Sequence, residues 1–140
     1  MEKEATKITV STTVNVPVEK AWQLWSEPAH IVKWNSASED WHTPKAENDL
    51  RTGGKFSSRM EAKDGSMGFD FGGEYSDVQP HKKIAYGMSD GRKVDISFEA
   101  NGNQTTIHQT FDAETQNPVE MQRGGWQSIM DNFKKYAEAN

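Results

Sequence analysis

The hydrophobic period of this chain changes once, and that change constrains its fold more than any other feature. Across most of the chain up to Asp112, apolar residues recur at every second position in short runs, whereas after Asn117 they recur every three to four. A period of two reads as strands with one buried face, and a period near 3.6 as an amphipathic helix. The clearest strand signal runs from Lys7 to Val16. There Ile8, Val10, Thr12, Val14 and Val16 share one face, and Lys7, Thr9, Ser11, Thr13 and Asn15 the other.

Pro17 ends that ladder and opens a short helix reaching Ser26, with Val18, Ala21, Trp22 and Trp25 at helical spacing. Pro28 breaks it, and Ala29 to Trp34 makes one further helical turn anchored by Ile31, Val32 and Trp34. The segment from Asn35 to Arg51 is polar and irregular, with room for a short strand around Trp41 to Thr43. Alternation then resumes. Phe56, Ser58, Met60 and Ala62 share one face, followed by Met67, Phe69, Phe71, Gly73 and Tyr75. Val78 breaks the second parity, which predicts a bulge near Ser76 or Asp77. Ile84, Tyr86 and Met88 form the next apolar face, then Val94, Ile96 and Phe98, then Thr105, Ile107 and Phe111. Asp64-Gly65, Asp90-Gly91 and Asn101-Gly102 read as two-residue hairpin turns, and Pro80-His81 as a further turn.

Asn117, Pro118 and Glu120 occupy the N-cap, first and third positions expected at a helix start. Val119, Gln122, Trp126, Ile129, Met130, Phe133 and Ala137 then step along one face. This helix has about 20 residues, or roughly 30 Å at 1.5 Å per residue. Gly124-Gly125 is its weak point. An antiparallel sheet with one apolar face needs a cover, and only this helix can supply it. The expected architecture is α+β: a curved antiparallel sheet of about six or seven strands gripping a long C-terminal helix, with two short helices after the first strand. Residues 1–140 read as one domain, without internal repeat or linker.

Composition narrows function. The chain has no cysteine, which removes disulfides, thiolate metal sites and a cysteine nucleophile. A net charge of -5 with no basic cluster argues against nucleic acid or an anionic membrane as the main partner. The sequence has neither a signal-peptide-like apolar run nor a stretch near the roughly 18 apolar residues of a membrane span, so a cytoplasmic location is expected. Only 34% of residues are hydrophobic, yet the chain carries five Trp, six Phe, three Tyr and six Met. Few but bulky apolar residues favour a thin shell with space inside.

His30, His42, His81 and His108 are scattered, without metal-ligand spacing, and parity turns His108 outward. Gly53-Gly54 and Gly72-Gly73 read as turn or bulge glycines, and no phosphate loop is present. Arg59, Glu61, Asp70, Glu74 and Asp95 lie opposite the apolar faces of their strands, as on a solvated surface with cross-strand ion pairs. A bulge that turned Asp70 inward would make it an acid–base candidate. Asp40 and His42, two apart on a possible strand, form a second candidate, in which Asp40 orients His42 as a general base. The strongest signal is collective. Trp34, Trp41, Met60, Phe69 and Phe71 are expected to face the sheet–helix space, as are Tyr86, Met88, Trp126, Met130 and Phe133. Each reads singly as filled core. Together they read as the lining of an apolar pocket, with Trp34 and Trp41 near its entrance.

Several segments, in order, carry a resemblance: Val16 to Trp22, Trp34, Asp49 to Phe56, Gly73 to Pro80 ahead of Lys83 to Tyr86, and Gly125-Trp126. With these the chain resembles the START-like (SRPBCC) helix-grip superfamily, which includes birch-pollen-type allergens and polyketide cyclases. Within it, the chain is most similar to the branch named for the C-terminal domain of the activator of the 90-kDa heat-shock-protein ATPase. The resemblance implies a deep cavity between sheet and helix, which in related proteins holds lipids, flavonoids, polyketides or other apolar molecules. Binding of a small apolar or aromatic molecule without a cofactor is therefore the leading expectation. A polyketide-cyclase-type enzyme using Asp40 and His42 or Asp70 is the second. An interaction module for a chaperone ATPase is the third; the partner domain that accompanies this one in eukaryotic activators is expected to be absent here.

Overall fold

Ten elements follow one another in the computed structural model, which describes residues 6–36, 39–88, 91–115 and 117–140. They are β1 (Lys7–Val14), α1 (Val18–Ser26), α2 (Pro28–Trp34), β2 (Trp41–Asn48), β3 (Lys55–Ala62), β4 (Gly68–Gln79), β5 (Lys83–Met88), β6 (Lys93–Asn101), β7 (Gln104–Asp112) and α3 (Val119–Ala139). The seven strands form one curled antiparallel sheet in the order β1-β7-β6-β5-β4-β3-β2. The first strand is thus carried to the far edge by α1 and α2, while the other six run as a meander. This is the α+β helix-grip arrangement that the period change predicts.

Register follows the pleat. β1 buries Ile8, Val10 and Val14 and pairs with β7 along its length, from Lys7 opposite Asp112 to Val14 opposite Thr105. β6 buries Val94, Ile96 and Phe98 on the same face. The β4–β5 register shifts between Tyr75 and Asp77, so the bulge lies where the broken parity at Val78 places it. Gly53 N–H donates to Tyr75 C=O and Tyr75 N–H to Gly54 C=O, each at 2.8 Å. A side chain at Gly54 would stand 2.1 Å from the Asp49 carbonyl, so this close approach requires glycine.

Several local expectations need correction. β2 extends from Trp41 to Asn48, well beyond the short strand expected, because a register shift between His42 and Lys45 absorbs Pro44 at the sheet edge. The β3–β4 connection is longer than two residues: Ala62 N–H donates to Met67 C=O, enclosing four residues that include Asp64-Gly65. Met67 consequently lies at the hairpin tip, 65% exposed, and not on the inner face. The β6–β7 turn falls on Gly102-Asn103, because Asn101 itself pairs with Gln104. Asp90 lies outside the described residues. In α1 the most buried residues are Val18, Ala21 and Leu24, while Trp22 and Trp25 are half-buried. At the start of α3, Pro118 C=O accepts the first helical bond from Gln122 N–H, so Pro118 holds the cap position in place of Asn117.

α3 spans 21 residues and continues through Gly124 and Gly125 without a break. Its C-terminal half carries Met130, Phe133 and Ala137, each at most 1% exposed, and packs on β1. These residues join Ile8, Ile107 and Phe111 in the core. That end of the sheet–helix space is filled. Among the described residues, no helix is long and apolar enough to cross a membrane.

Candidate functional site

The N-terminal half of α3 behaves differently. Met121, Gly125, Trp126 and Ile129 border a cavity of about 540 Å³ that opens to solvent and is walled opposite by the concave face of the sheet. Gly125 leaves this wall without a side chain; a Cβ there would meet nothing within 4 Å. Trp126 lies flat on Phe111, with ring centroids 3.9 Å apart and planes 12° apart, and meets Phe71 edge-on at 6.1 Å. Phe71 in turn stands edge-on to Tyr86 at 6.5 Å, and Phe56 meets Tyr86 at 4.7 Å. These edge-to-face contacts hold the rings in place without closing the space between them.

Seven of the ten expected lining residues border this cavity: Trp34, Trp41, Met60, Phe69, Phe71, Tyr86 and Trp126. Trp34 and Trp41 differ in depth. Trp34 is 5% exposed, donates its indole N–H to the Leu24 carbonyl at 3.0 Å, and packs on Phe133. Trp41 is half-buried and meets Phe69, which is 49% exposed. Trp41 and Phe69 therefore form the rim, and Trp34 belongs to the deep wall and not to the entrance. Met88, Met130 and Phe133 are corrections. Met130 and Phe133 are consumed by packing against β1 and the tryptophans of α1 and α2. Met88 lies at the end of β5, opposite Gly73 and away from the cavity wall.

Polar groups enter the apolar wall at a few points. Tyr75 donates its hydroxyl to Asn48 Oδ1 at 2.6 Å, and Asn48 Nδ2 donates to the Ser26 carbonyl at 2.6 Å, tying β4, β2 and the end of α1 together. Burial pushes the hydroxyl pKa of both Tyr75 and Tyr86 above the ordinary value, so both stay protonated and remain hydrogen-bond donors. Gln122, 8% exposed, is fully engaged. Its side chain accepts from Glu114 N–H at 2.9 Å and donates to the carbonyls of Glu114 and Asn117. Gln109 and Ser58, both buried, also line the space, as does Arg92. Gln109 was legible from parity, since it shares the face of Thr105, Ile107 and Phe111, but its polarity hid it among apolar candidates.

The acid–base candidates are not brought to the cavity. His42 Nε2 faces Glu61 Oε1 at 3.9 Å across the β2–β3 pair, and neither Asp40 nor His42 borders the space. Asp70 is turned outward, its side chain 70% exposed and 3.6 Å from Arg59 on the convex face. Arg59 and Glu61 pair at 2.9 Å on that same face, as strand parity requires. His30 bonds to the Tyr136 hydroxyl at 2.6 Å, His81 packs on Trp22, and His108 points outward near Glu99. Among the described residues, no group of three or more His, Asp or Glu side chains stands together as a metal site.

Comparison with known proteins settles the family. Residues 15–138 match the family described as Activator of Hsp90 ATPase homolog 1-like protein. The chain belongs to that family. An AHSA1-like protein from Aeromonas hydrophila, solved in solution, is 43% identical, covers 96% of this chain and 93% of its own, and superposes with a TM-score of 0.89. A protein from Cytophaga hutchinsonii is 53% identical over the same shares of the two chains, with a TM-score of 0.83. A protein from Nitrosomonas europaea shares the fold at 19% identity, covering 95% of this chain and 94% of its own, with a TM-score of 0.82. No curated protein matches the sequence. The AHSA1-like assignment agrees with the START-like helix-grip architecture and leaves the ligand open.

Proposed function

We propose that this AHSA1-like domain binds a small apolar or aromatic molecule, without a cofactor, in the cavity between the sheet and the N-terminal half of α3. The observation that carries this reading is an apolar space of about 540 Å³, in which Phe71 meets both Tyr86 and Trp126 edge-on and leaves the space between the rings open. Such a volume lies in the range of small-molecule sites and accommodates one or two fused rings or a short acyl chain. The half-exposed Trp41–Phe69 rim offers an apolar path inward. The fold itself commonly serves hydrophobic ligands. An acid–base enzyme reading has no support from Asp40, His42 or Asp70, which lie outside the cavity.

A thermal-shift screen of bicyclic aromatic ketones, flavonoid-like phenols and medium-chain acids tests the proposal. At 100 times its dissociation constant a ligand adds about 2.7 kcal/mol to stability, enough to raise the melting point by several degrees. Concentration-dependent stabilisation by at least one class is the expected result. No shift with any class would overturn the reading and favour the chaperone-interaction alternative.

A further inference from the structure

The cavity is not uniformly apolar, and two of its larger polar side chains stand close together on the sheet. Tyr86 on β5 and Gln109 on β7 are each 7% exposed and both border the cavity. They flank β6, where Val94 pairs with Tyr86 and Ile96 with Gln109. Among the described residues, neither the Tyr86 hydroxyl nor the Gln109 amide has a hydrogen-bond partner. The contrast with neighbouring groups is direct: Tyr75 is held by Asn48, and Gln122 by three backbone groups. Neither group is sealed off, since Ser26 Oγ is the one fully buried polar side-chain atom without a partner among the described residues, so both stay open to a partner bound in the cavity.

The hydrogens these two side chains offer select the kind of partner. Arg92 borders the same space and is itself engaged by another group. The two carboxylates on the wall are already engaged, Glu47 with Lys45 at 3.3 Å and Glu114 with the Asn117 amide at 2.6 Å. The hydroxyl and the amide both offer hydrogens, which an electron-rich oxygen of the ligand accepts.

Resting on the binding function proposed above, we infer that the ligand is an apolar molecule bearing one hydrogen-bond-accepting oxygen, a carbonyl or a carboxylate, and that Tyr86 and Gln109 hold that oxygen. The fused-ring or acyl body lies toward Phe71 and Trp126. The two side chains are specificity-determining groups, left open in the empty protein and completed by the ligand.

Three probes with one carbon skeleton test this: tetralin, 1-tetralone and tetralin-1-carboxylate. Their dissociation constants are measured by calorimetry on the wild type, Tyr86→Phe and Gln109→Leu. The readout is the preference for an oxygenated probe over tetralin. Each variant should reduce that preference about three- to tenfold, the equivalent of one ordinary hydrogen bond. The arm in which the larger loss occurs, ketone or carboxylate, identifies the head group. An unchanged preference in both variants, with tetralin still bound, overturns the inference and leaves the apolar-site reading standing. Binding of none of the three probes overturns both. The melting points of the empty variants give a second readout. Deleting a polar group that lacks a partner leaves stability unchanged or raises it, so a fall of more than about 5 °C in either variant would reveal a structural hydrogen bond and contradict the inference.

Discussion

The two halves of α3 face the same sheet and meet it in opposite ways. From Met130 to Ala137 the helix is sealed against β1, with Phe133 and Ala137 at 0% exposure. From Met121 to Ile129 it touches the sheet through Trp126 on Phe111 and through Gln127 on the Ser11 carbonyl, and otherwise bounds the cavity. Side-chain size does not separate the halves, because Trp126 is larger than Phe133. The separation comes from what lies opposite. Trp25 and Trp34, brought in by α1 and α2, close the space around Phe133 at ring distances of 4.9 and 5.0 Å. In the other half Trp126 meets rings of the sheet, Phe71 and Phe111, and Gly124 and Gly125 carry no side chains into the space. One helix therefore anchors the fold at one end and leaves room for a ligand at the other.

The largest expected effect lies at the sealed end. Phe133→Ala removes a fully buried ring among packed neighbours and should cost about 3–5 kcal/mol in chemical denaturation. Phe71→Ala removes a ring of similar size from the open end and should cost no more than about 1.5 kcal/mol, because its surroundings are already only partly filled. Equal losses would erase the distinction between the halves.

Asp112 sharpens the comparison through pH. It closes the β1–β7–β6 seam at the end beside Phe111, the ring on which Trp126 lies, accepting from Lys7 Nζ at 2.5 Å and from Lys93 N–H at 2.9 Å. Burial alone raises its pKa, but the bonds from Lys7 and Lys93 outweigh burial and hold it below the usual carboxylate value. Its contribution is therefore present above the unfolded-state pKa near 4 and is lost as pH falls through the lower folded value. Lys7 is 59% exposed, so solvent screens the pair, and Asp112→Asn should cost about 1 kcal/mol at neutral pH. The melting point of this variant should also fall less steeply than that of the wild type below pH 4. Parallel acid profiles would show that Asp112 does not carry the effect.

The smallest effect is a gain. Gly125→Ala places a methyl group in open space and improves helix propensity, so stability should rise by about 0.5–1 kcal/mol. A loss would mean that the helix lies closer to the sheet than the cavity requires.

Much of this contrast was legible from residues alone. Period two placed Met60, Phe71 and Tyr86 on the concave face, and the switch after Asn117 placed Trp126 over it. The broken parity at Val78 located the bulge. Periodicity reports which face a residue occupies, however, and not whether the space in front of it is filled. For that reason Met130 and Phe133 were indistinguishable from Trp126, although the former are core and the latter lines the cavity. The positions of α1 and α2 decide this, and those are a tertiary property. Gln109 was overlooked because binary patterning searches inward positions for apolar residues only. β2 was largely hidden because Pro44 and its irregular register remove the alternation that marks a strand. Phe69 has the right parity, but the β3–β4 hairpin carries it to the rim.

The central claim is that the cavity beneath the N-terminal half of α3 takes up an apolar molecule while the sealed half does not. Indole N–H resonances of a ¹⁵N-labelled sample, followed during titration with 1-tetralone, test it directly. Four of the five tryptophans, Trp25, Trp34, Trp41 and Trp126, border the cavity. Trp22 packs instead on His81 and Phe98 and serves as the internal reference. Saturable shifts at Trp41 and Trp126 with a stationary Trp22 are the expected result. No shift at any indole, or a Trp22 shift as large as that of Trp126, would contradict the claim.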